Sequence, residues 1–408
     1  MLLRVNTSLR LLIAAQLLLA VAYALPVLSA DRLTYSDFLS FYTGWAIVRD
    51  GQGARLYDID LQGAYQAKAF GLERSDSRFR LLPFINPPHA ALILTPFAYL
   101  PPKAAASLFL AFNCLIAAWV LYRLWQLAAG WSRAAQILLL TTTLATEVFW
   151  YSLGTGTMTL LVFVCLIEYY LAMRAGRDVR AALWLIAATL KPQLIVLPAL
   201  IPLAQRRWRL VGMAVTLGLL VGLSVSLSFG FHIWVDYLRL VRQVGAHGEA
   251  YGASPMLMDN LRMILYWTAP PAAVVPLVYL ALVAGVVGIC WMWRSARDFG
   301  LRFALTVLLG LFLAPHLNYQ DTVVAIWPAA LGYDFARSKR PKLLPVFQVL
   351  VLAATFVPAA LIVTRYDRPL GWVWPLPLIV GLAAVCARAL RRRKHELSRK
   401  HPTPRLHL

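Results

Sequence analysis

Apolar runs close to the length that crosses a bilayer recur from one end of this chain to the other, and no other feature constrains its fold as strongly. They fall at about 11–28, 84–100, 104–122, 134–150, 155–173, 181–190, 193–204, 210–230, 272–293, 303–315, 319–333, 343–363 and 372–388. Roughly 20 apolar residues make a helix that spans the hydrocarbon core, where each backbone group must bond within its own helix. The expected fold is an all-α polytopic membrane protein of about 11–13 transmembrane or re-entrant helices. With 60% of its 408 residues hydrophobic and 14% charged, the chain lacks the polar surface that a water-soluble protein of this length requires. A single membrane domain is expected over residues 1–390, with a first loop at 31–83, followed by a basic tail at 391–408. The four cysteines, Cys114, Cys165, Cys290 and Cys386, each lie inside an apolar run and none is in a CxxC spacing. They read as small core residues, neither a disulfide framework nor a metal site.

The distribution of charge assigns sides. Arg4 and Arg10 precede LLIAAQLLLAVAYALPVL, and Leu28 to Ala30 resembles a signal-peptidase site, but an uncleaved first span entering from the cytoplasm fits the rest of the chain better. Basic clusters stand at Arg123/Arg133, Arg174/Arg177/Arg180, Arg206/Arg207/Arg209, Arg294/Arg297/Arg302, Arg337/Lys339/Arg340/Lys342 and from Arg388 onward. Placed with the N-terminus in the cytoplasm, they give 25 basic against 5 acidic residues inside and 14 against 13 elsewhere. The net charge of +21 is then a positive-inside signal with some attraction for membrane lipids, and needs no nucleic-acid partner.

The sides alternate correctly only if residues 84–100 dip into the membrane without crossing it, as Pro87, Pro88 and Pro96 favour. Two other pairs are too short to span singly: 181–190 with 193–204, broken at Lys191-Pro192, and 303–315 with 319–333, joined by HLNY. Breaks at membrane depth are tolerated where protein buries them or where they line a cavity.

This topology leaves few polar residues facing outward. Asp37 follows a serine in TYSDFLSFYTGWAIVRDGQGARLYD, where Phe38, Phe41, Tyr42 and Trp45 are expected to lie in the bilayer interface as a membrane-parallel helix. It reads either as a first-turn helix anion or as a catalyst. Asp58 and Asp60 form a D-x-D that fits loop architecture better than a metal site. Lys191 sits in an apolar stretch, where a lysine costs about 2.5–3.5 kcal/mol at the bilayer centre, so it either snorkels to an interface or takes a partner anion, for which a phosphate would suit. His316 reads as a packing histidine or a ligand group, Asp321 as a helix-start anion or a site residue, and Glu147 and Glu168, near span ends, as structural or interfacial before catalytic.

In combination these stretches resemble the bacterial glycosyltransferase 87 family. The resemblance rests on DFxxFYxxW, DGxGxxLYD, NPPxxxLxxxPFAxLP, YSLGTGTMTLL, LKPQ and PHLNYQD in this order, and covers about residues 35–335. The family includes phosphatidylinositol mannoside mannosyltransferases that use polyprenyl-phosphate-mannose. The resemblance implies a GT-C-type bundle in the bacterial cytoplasmic membrane, an outward first loop with membrane-parallel helices, and an active site on the periplasmic face. It implies an acidic catalyst at Asp37 and donor-phosphate contacts at Lys191 and His316. Arg55 is a further candidate for the phosphate, and Asp58, Tyr319, Gln320 and Asp321 are candidates for substrate binding. At Thr155 to Thr157 the chain departs from the family's GQ-type pair.

The implied chemistry is hexose transfer, mannose above all, from a polyprenyl-phosphate-sugar to a lipid or glycan acceptor. One carboxylate base suffices for a single displacement with inversion, and the leaving phosphate needs cationic or hydrogen-bonding stabilisation. No cofactor or metal is expected, and the lipid-linked donor acts as co-substrate. The rival is a transporter or flippase of lipid-linked sugars, which intramembrane charge and broken helices also suit. A first loop of some 50 residues with clustered acids favours the enzyme.

Overall fold

The computed structural model describes residues 7–27, 36–70, 81–246, 255, 258–295 and 298–363. The expected last span at 372–388, the basic tail, Arg4 and the stretch Leu28 to Ala30 lie outside these described residues. Among the described residues there are seventeen α-helices and no strand. In order they are α1 (Thr7–Val27), α2 (Asp37–Arg49), α3 (Ile59–Phe70), α4 (Pro88–Leu94), α5 (Pro102–Leu127) and α6 (Arg133–Leu144). Next come α7 (Glu147–Gly154), α8 (Thr159–Arg174), α9 (Asp178–Ala187), α10 (Ile201–Ala204), α11 (Trp208–Phe229) and α12 (Ile233–Ala246). The chain continues with α13 (Leu261–Thr268), α14 (Pro271–Ser295), α15 (Phe299–Leu313), α16 (Ile326–Lys339) and α17 (Leu344–Val363). This is an all-α polytopic membrane fold.

Among the described residues four helices are long and apolar enough to cross a membrane: α1, α5 with the turn that extends it, α11 and α14. The run at 134–150, expected as one segment, is divided into α6 and α7, which meet at 47°. Polar side chains occupy the break: Thr146 Oγ1 donates to the Thr143 carbonyl at 2.7 Å, and Trp150 Nε1 donates to that of Leu144. These donors satisfy carbonyls that the helix end leaves open.

Residues 84–100 form no span. The seven residues of α4 are followed by the 3-10 turn Thr95–Tyr99, and both are too short to cross. The stretch after α9 is likewise broken, passing through 3-10 turns at Ala188–Leu190, Pro192–Leu194 and Pro198–Leu200. Lys191, at φ −130° and ψ 81°, is the residue that leaves the helix, as the ring of Pro192 requires of its predecessor. Two helices outside the long apolar runs, α12 and α13, complete the fold; α12 buries Ile233, Leu240 and Val244 along one stripe.

The first loop departs from expectation. From Phe38 to Ile47 every residue of α2 is buried in protein, so its aromatics do not lie in the bilayer interface. Trp45, fully buried, stands with its ring 5.5 Å from that of Phe97 and 5.2 Å from that of Phe109. An aromatic-rich sequence suits a lipid interface and a protein core equally well, and here the residues around 95–112 cover it.

Helix α8 relates the two ends of the bundle. Its 16 residues extend about 24 Å from Thr159 to Arg174. Toward its C-terminal end the fully buried Glu168 pairs with Arg123 and with Arg180, the latter at 2.6 Å. The same end is tied by Arg207 on Asp178 and by Lys339 on Asp298 at 2.5 Å. The basic loops thus share one end of the molecule.

Candidate active site

At the other end of α8 four distant segments meet. The turn that starts α8 is built from TGTMT: Gly156, at φ +61°, reverses the chain after α7, and Thr157 Oγ1 accepts from the Thr159 backbone N–H at 3.1 Å. The preceding carbonyl, Thr155 O, accepts Ser36 Oγ at 2.9 Å and Phe38 N at 3.1 Å. These bonds flank Asp37 and fix the start of α2 on this turn.

Thr159 Oγ1 donates to Asp321 Oδ1 at 2.6 Å and accepts from Lys191 Nζ at 2.8 Å. Lys191 also pairs with Asp321 Oδ1 at 2.5 Å. The other oxygen, Asp321 Oδ2, accepts the Asn318 backbone N–H at 3.3 Å, closing the turn that leads to α16. The neighbouring Gln320 donates through Nε2 to Asp37 Oδ2 at 2.7 Å, and its own carbonyl accepts Ser152 Oγ at 2.8 Å. Tyr319 donates to Glu147 Oε2 at 2.9 Å.

The electrostatics follow from this enclosure. Burial raises the Asp37 pKa; Lys191 opposes the rise, Asp321 adds to it, and the Gln320 hydrogen bond lowers it. Burial holds the imidazole of His316 down at about 4, so at neutral pH it offers a hydrogen bond but no charge. Lys191 uses two of its three N–H groups on Thr159 and Asp321, leaving one for a ligand.

Asp37, Lys191, His316, Tyr319, Gln320 and Asp321, all marked from sequence, therefore converge. Arg55 and Asp58 do not join them. They pair with each other at 2.6 Å beyond the far end of α2, whose 13 residues extend about 20 Å. Asp58 caps α3, accepting from the N–H groups of Asp60 and Leu61, as a residue of loop architecture does. Arg55, more than half exposed, is correspondingly too far from Asp37 to meet the same phosphate. Lys191 has the partner anion that its burial requires, and that partner is a carboxylate of the same chain.

Several residues were not marked from sequence. Arg262 Nη1 and Nη2 donate to the carbonyls of Pro315 and Gly245, while its Nε is buried with no partner; its charge reaches His316. Asp259 is buried, and His89 Nε2 lies 3.1 Å from Thr189 Oγ1, two residues before Lys191. Arg262 and Asp259 stand in a stretch without a hydrophobic run, and His89 stands between the fixed positions of the NPP motif, so no local signal distinguishes them. A cavity of about 350 Å³ lined by Met173, Arg174, Gln205, Arg207 and Phe299 belongs to the basic end, remote from Asp37. Among the described residues no three His, Cys, Asp or Glu side chains gather as a metal site.

Comparison with known families decides the class. A family model described as Glycosyltransferase family 87 matches residues 84–315, more than half of the chain. The chain belongs to glycosyltransferase family 87. The match includes Glu147, Thr159, Lys191, Asp259 and Arg262, whereas Asp37, His316 and Tyr319 to Asp321 flank it. No curated protein and no solved structure matches the chain. As a family 87 member it is a membrane glycosyltransferase, and the cluster around Asp37 holds the groups that glycosyl transfer calls for: a carboxylate, an ammonium and neutral hydrogen-bond donors.

Proposed function

We propose that the chain transfers a hexose, mannose first among candidates, from a polyprenyl-phosphate-sugar to a lipid or glycan acceptor. The reaction takes place at the outer face of the bacterial cytoplasmic membrane. The observation that carries this reading is the meeting of Asp37, through Gln320, with the Lys191–Asp321 pair. A base and a phosphate-directed cation then share one enclosed site at the end of the bundle remote from the basic loops. Family 87 membership favours the enzyme over a transporter of lipid-linked sugars.

In the proposed step Asp37 takes the proton of the acceptor hydroxyl while its oxygen bonds to the anomeric carbon. The bond from that carbon to the phosphate oxygen breaks on the opposite face, and the lipid phosphate leaves with the electron pair. The result is inversion. The free N–H of Lys191, with hydrogen bonds from neutral His316, stabilises the charge that develops on the phosphate, and Arg262 adds a cation whose Nε has no protein partner. The reading needs no cofactor or metal, since the phosphate is already a competent leaving group.

The test incubates purified protein with a membrane lipid extract and radiolabelled polyprenyl-phosphate-mannose, or with the corresponding nucleotide-sugar. Label is expected to pass to the extract from the lipid phosphate alone. Transfer from the nucleotide-sugar, or from neither donor, would overturn the reading.

A further inference from the structure

Beside Asp37 lies a second group of polar side chains that the transfer step does not use. Met258 pairs with Asn318 in an isolated antiparallel bridge, and Asn260 Nδ2 donates to the Ala314 carbonyl at 2.8 Å. Between these two anchors Asp259 is held against the HLNYQD turn, only 5% exposed, and its Oδ2 is buried with no hydrogen-bond partner. Buried carboxylate oxygens are ordinarily paired or hydrogen-bonded, so one left bare calls for an explanation.

Among the described residues the charge acting on Asp259 is another acid, Glu147. Glu147 accepts from Tyr319, and the Tyr23 hydroxyl, buried and without a partner, lies within electrostatic reach of the same carboxylate. The Tyr151 ring stands edge-on to that of Tyr319 at 5.5 Å and feels both Asp37 and Glu147, which joins this group to the base. Neither Lys191 nor Arg262 is among the charges acting on Asp259, so an ion pair does not explain it.

We infer that Glu147, Asp259, Tyr319 and Tyr23 form a recognition site for the hydroxyls of a hexose ring adjoining Asp37. Carboxylates accept from neighbouring sugar hydroxyls in pairs, and tyrosine rings give the apolar face of a sugar a flat surface. A neutral polyol also satisfies two acids without bringing a further charge into a buried site. The inference rests on the glycosyltransferase reading and names which side chains hold sugar. The hexose comes either from the donor or from the acceptor.

The test uses the full chain in nanodiscs with methyl α-mannopyranoside and methyl α-glucopyranoside as probes, followed by saturation-transfer NMR. Wild type is expected to bind at least one probe. Asp259→Asn and Glu147→Gln should each weaken that binding about tenfold or more, while Asp37→Asn keeps it. Tyr319→Phe, with an unchanged thermal midpoint, should give a smaller loss and serves as the control for folding. No binding by wild type, or binding by both carboxamide variants as tight as that of wild type, overturns the site. A rise in donor KM in these variants assigns the hexose to the donor, and a rise in acceptor KM assigns it to the acceptor. Probe binding by a wild type that transfers nothing from polyprenyl-phosphate-mannose contradicts the proposed function and leaves the sugar site standing. Transfer that Asp259→Asn and Glu147→Gln leave untouched does the reverse.

Discussion

Lys191 and Asp321 neutralise one another in a buried pair, so neither can be removed alone without leaving a bare charge. Lys191→Met is expected to lower stability by about 3–5 kcal/mol, and adding Asp321→Leu should recover much of that, as measured by thermal unfolding in detergent. Equal losses in the single and double variants would show that the pair is not the source. With Asp37 as the proposed base, its raised pKa should move the acid limb of the rate profile above 3.8, the ordinary value for an aspartate, because the base must be ionised to act. Asp259, raised to about 7 by burial and by Glu147, binds its proton more tightly in the folded state than in the unfolded one. The contribution of Asp259 to stability should therefore grow as pH falls from about 7 towards 4, while His316, held down at about 4, contributes in the opposite sense; wild type should gain thermal stability relative to Asp259→Asn over that range. Lys191 was legible in the sequence because an ammonium in an apolar run needs an anion. Asp259 was not, because its burial depends on the pairing of Met258 with Asn318, sixty residues apart.

At the scale of elements, α2 is a rigid mount for Asp37. Its first turn is tied to the Thr155 carbonyl, and its middle is pressed against Phe84, which lies so close to Gly44 that an added Cβ would stand 2.7 Å from the ring. Gly44→Ala should cost about 1–3 kcal/mol of stability by overpacking, since Phe84 N is held by Gln62 Oε1 at 2.8 Å. Ser36→Ala should lower kcat with little effect on the KM of the donor, because it loosens the base without touching the phosphate contacts. Unchanged kcat would remove the Thr155 anchor from the account. The helix itself was readable from DFLSFYTGW, but its surroundings were not. Periodicity marks an apolar face without distinguishing lipid from protein, and here the ring partners of Trp45 come from the chain 50 or more residues later. The breaks at Lys191-Pro192 and HLNY were readable because proline and polar residues interrupt an apolar helix, whereas the bend at Ala145 and Thr146 carries no proline, and its threonines can satisfy their hydroxyls within a helix.

Across the whole molecule, the enclosed site and the basic loops occupy opposite ends of α8, about 24 Å apart and so comparable with the hydrocarbon thickness. On the proposed reading the positive-inside rule turns the site outward. In a background without the native cysteines, Ala54→Cys should react with a membrane-impermeant thiol reagent on intact spheroplasts, and Ala175→Cys only after permeabilisation. The opposite pattern would invert the topology. The positive-inside asymmetry was plain in the sequence because arginines cluster locally. The grouping of Asp37 with Gln320 was not, because 283 residues separate them and only the packed bundle brings them together. The most direct measurement is the single-turnover rate of hexose transfer from radiolabelled polyprenyl-phosphate-mannose by Asp37→Asn beside wild type, with both shown to be folded. The account predicts a loss of roughly 10²–10⁴-fold, the usual contribution of a general base; equal rates would contradict it.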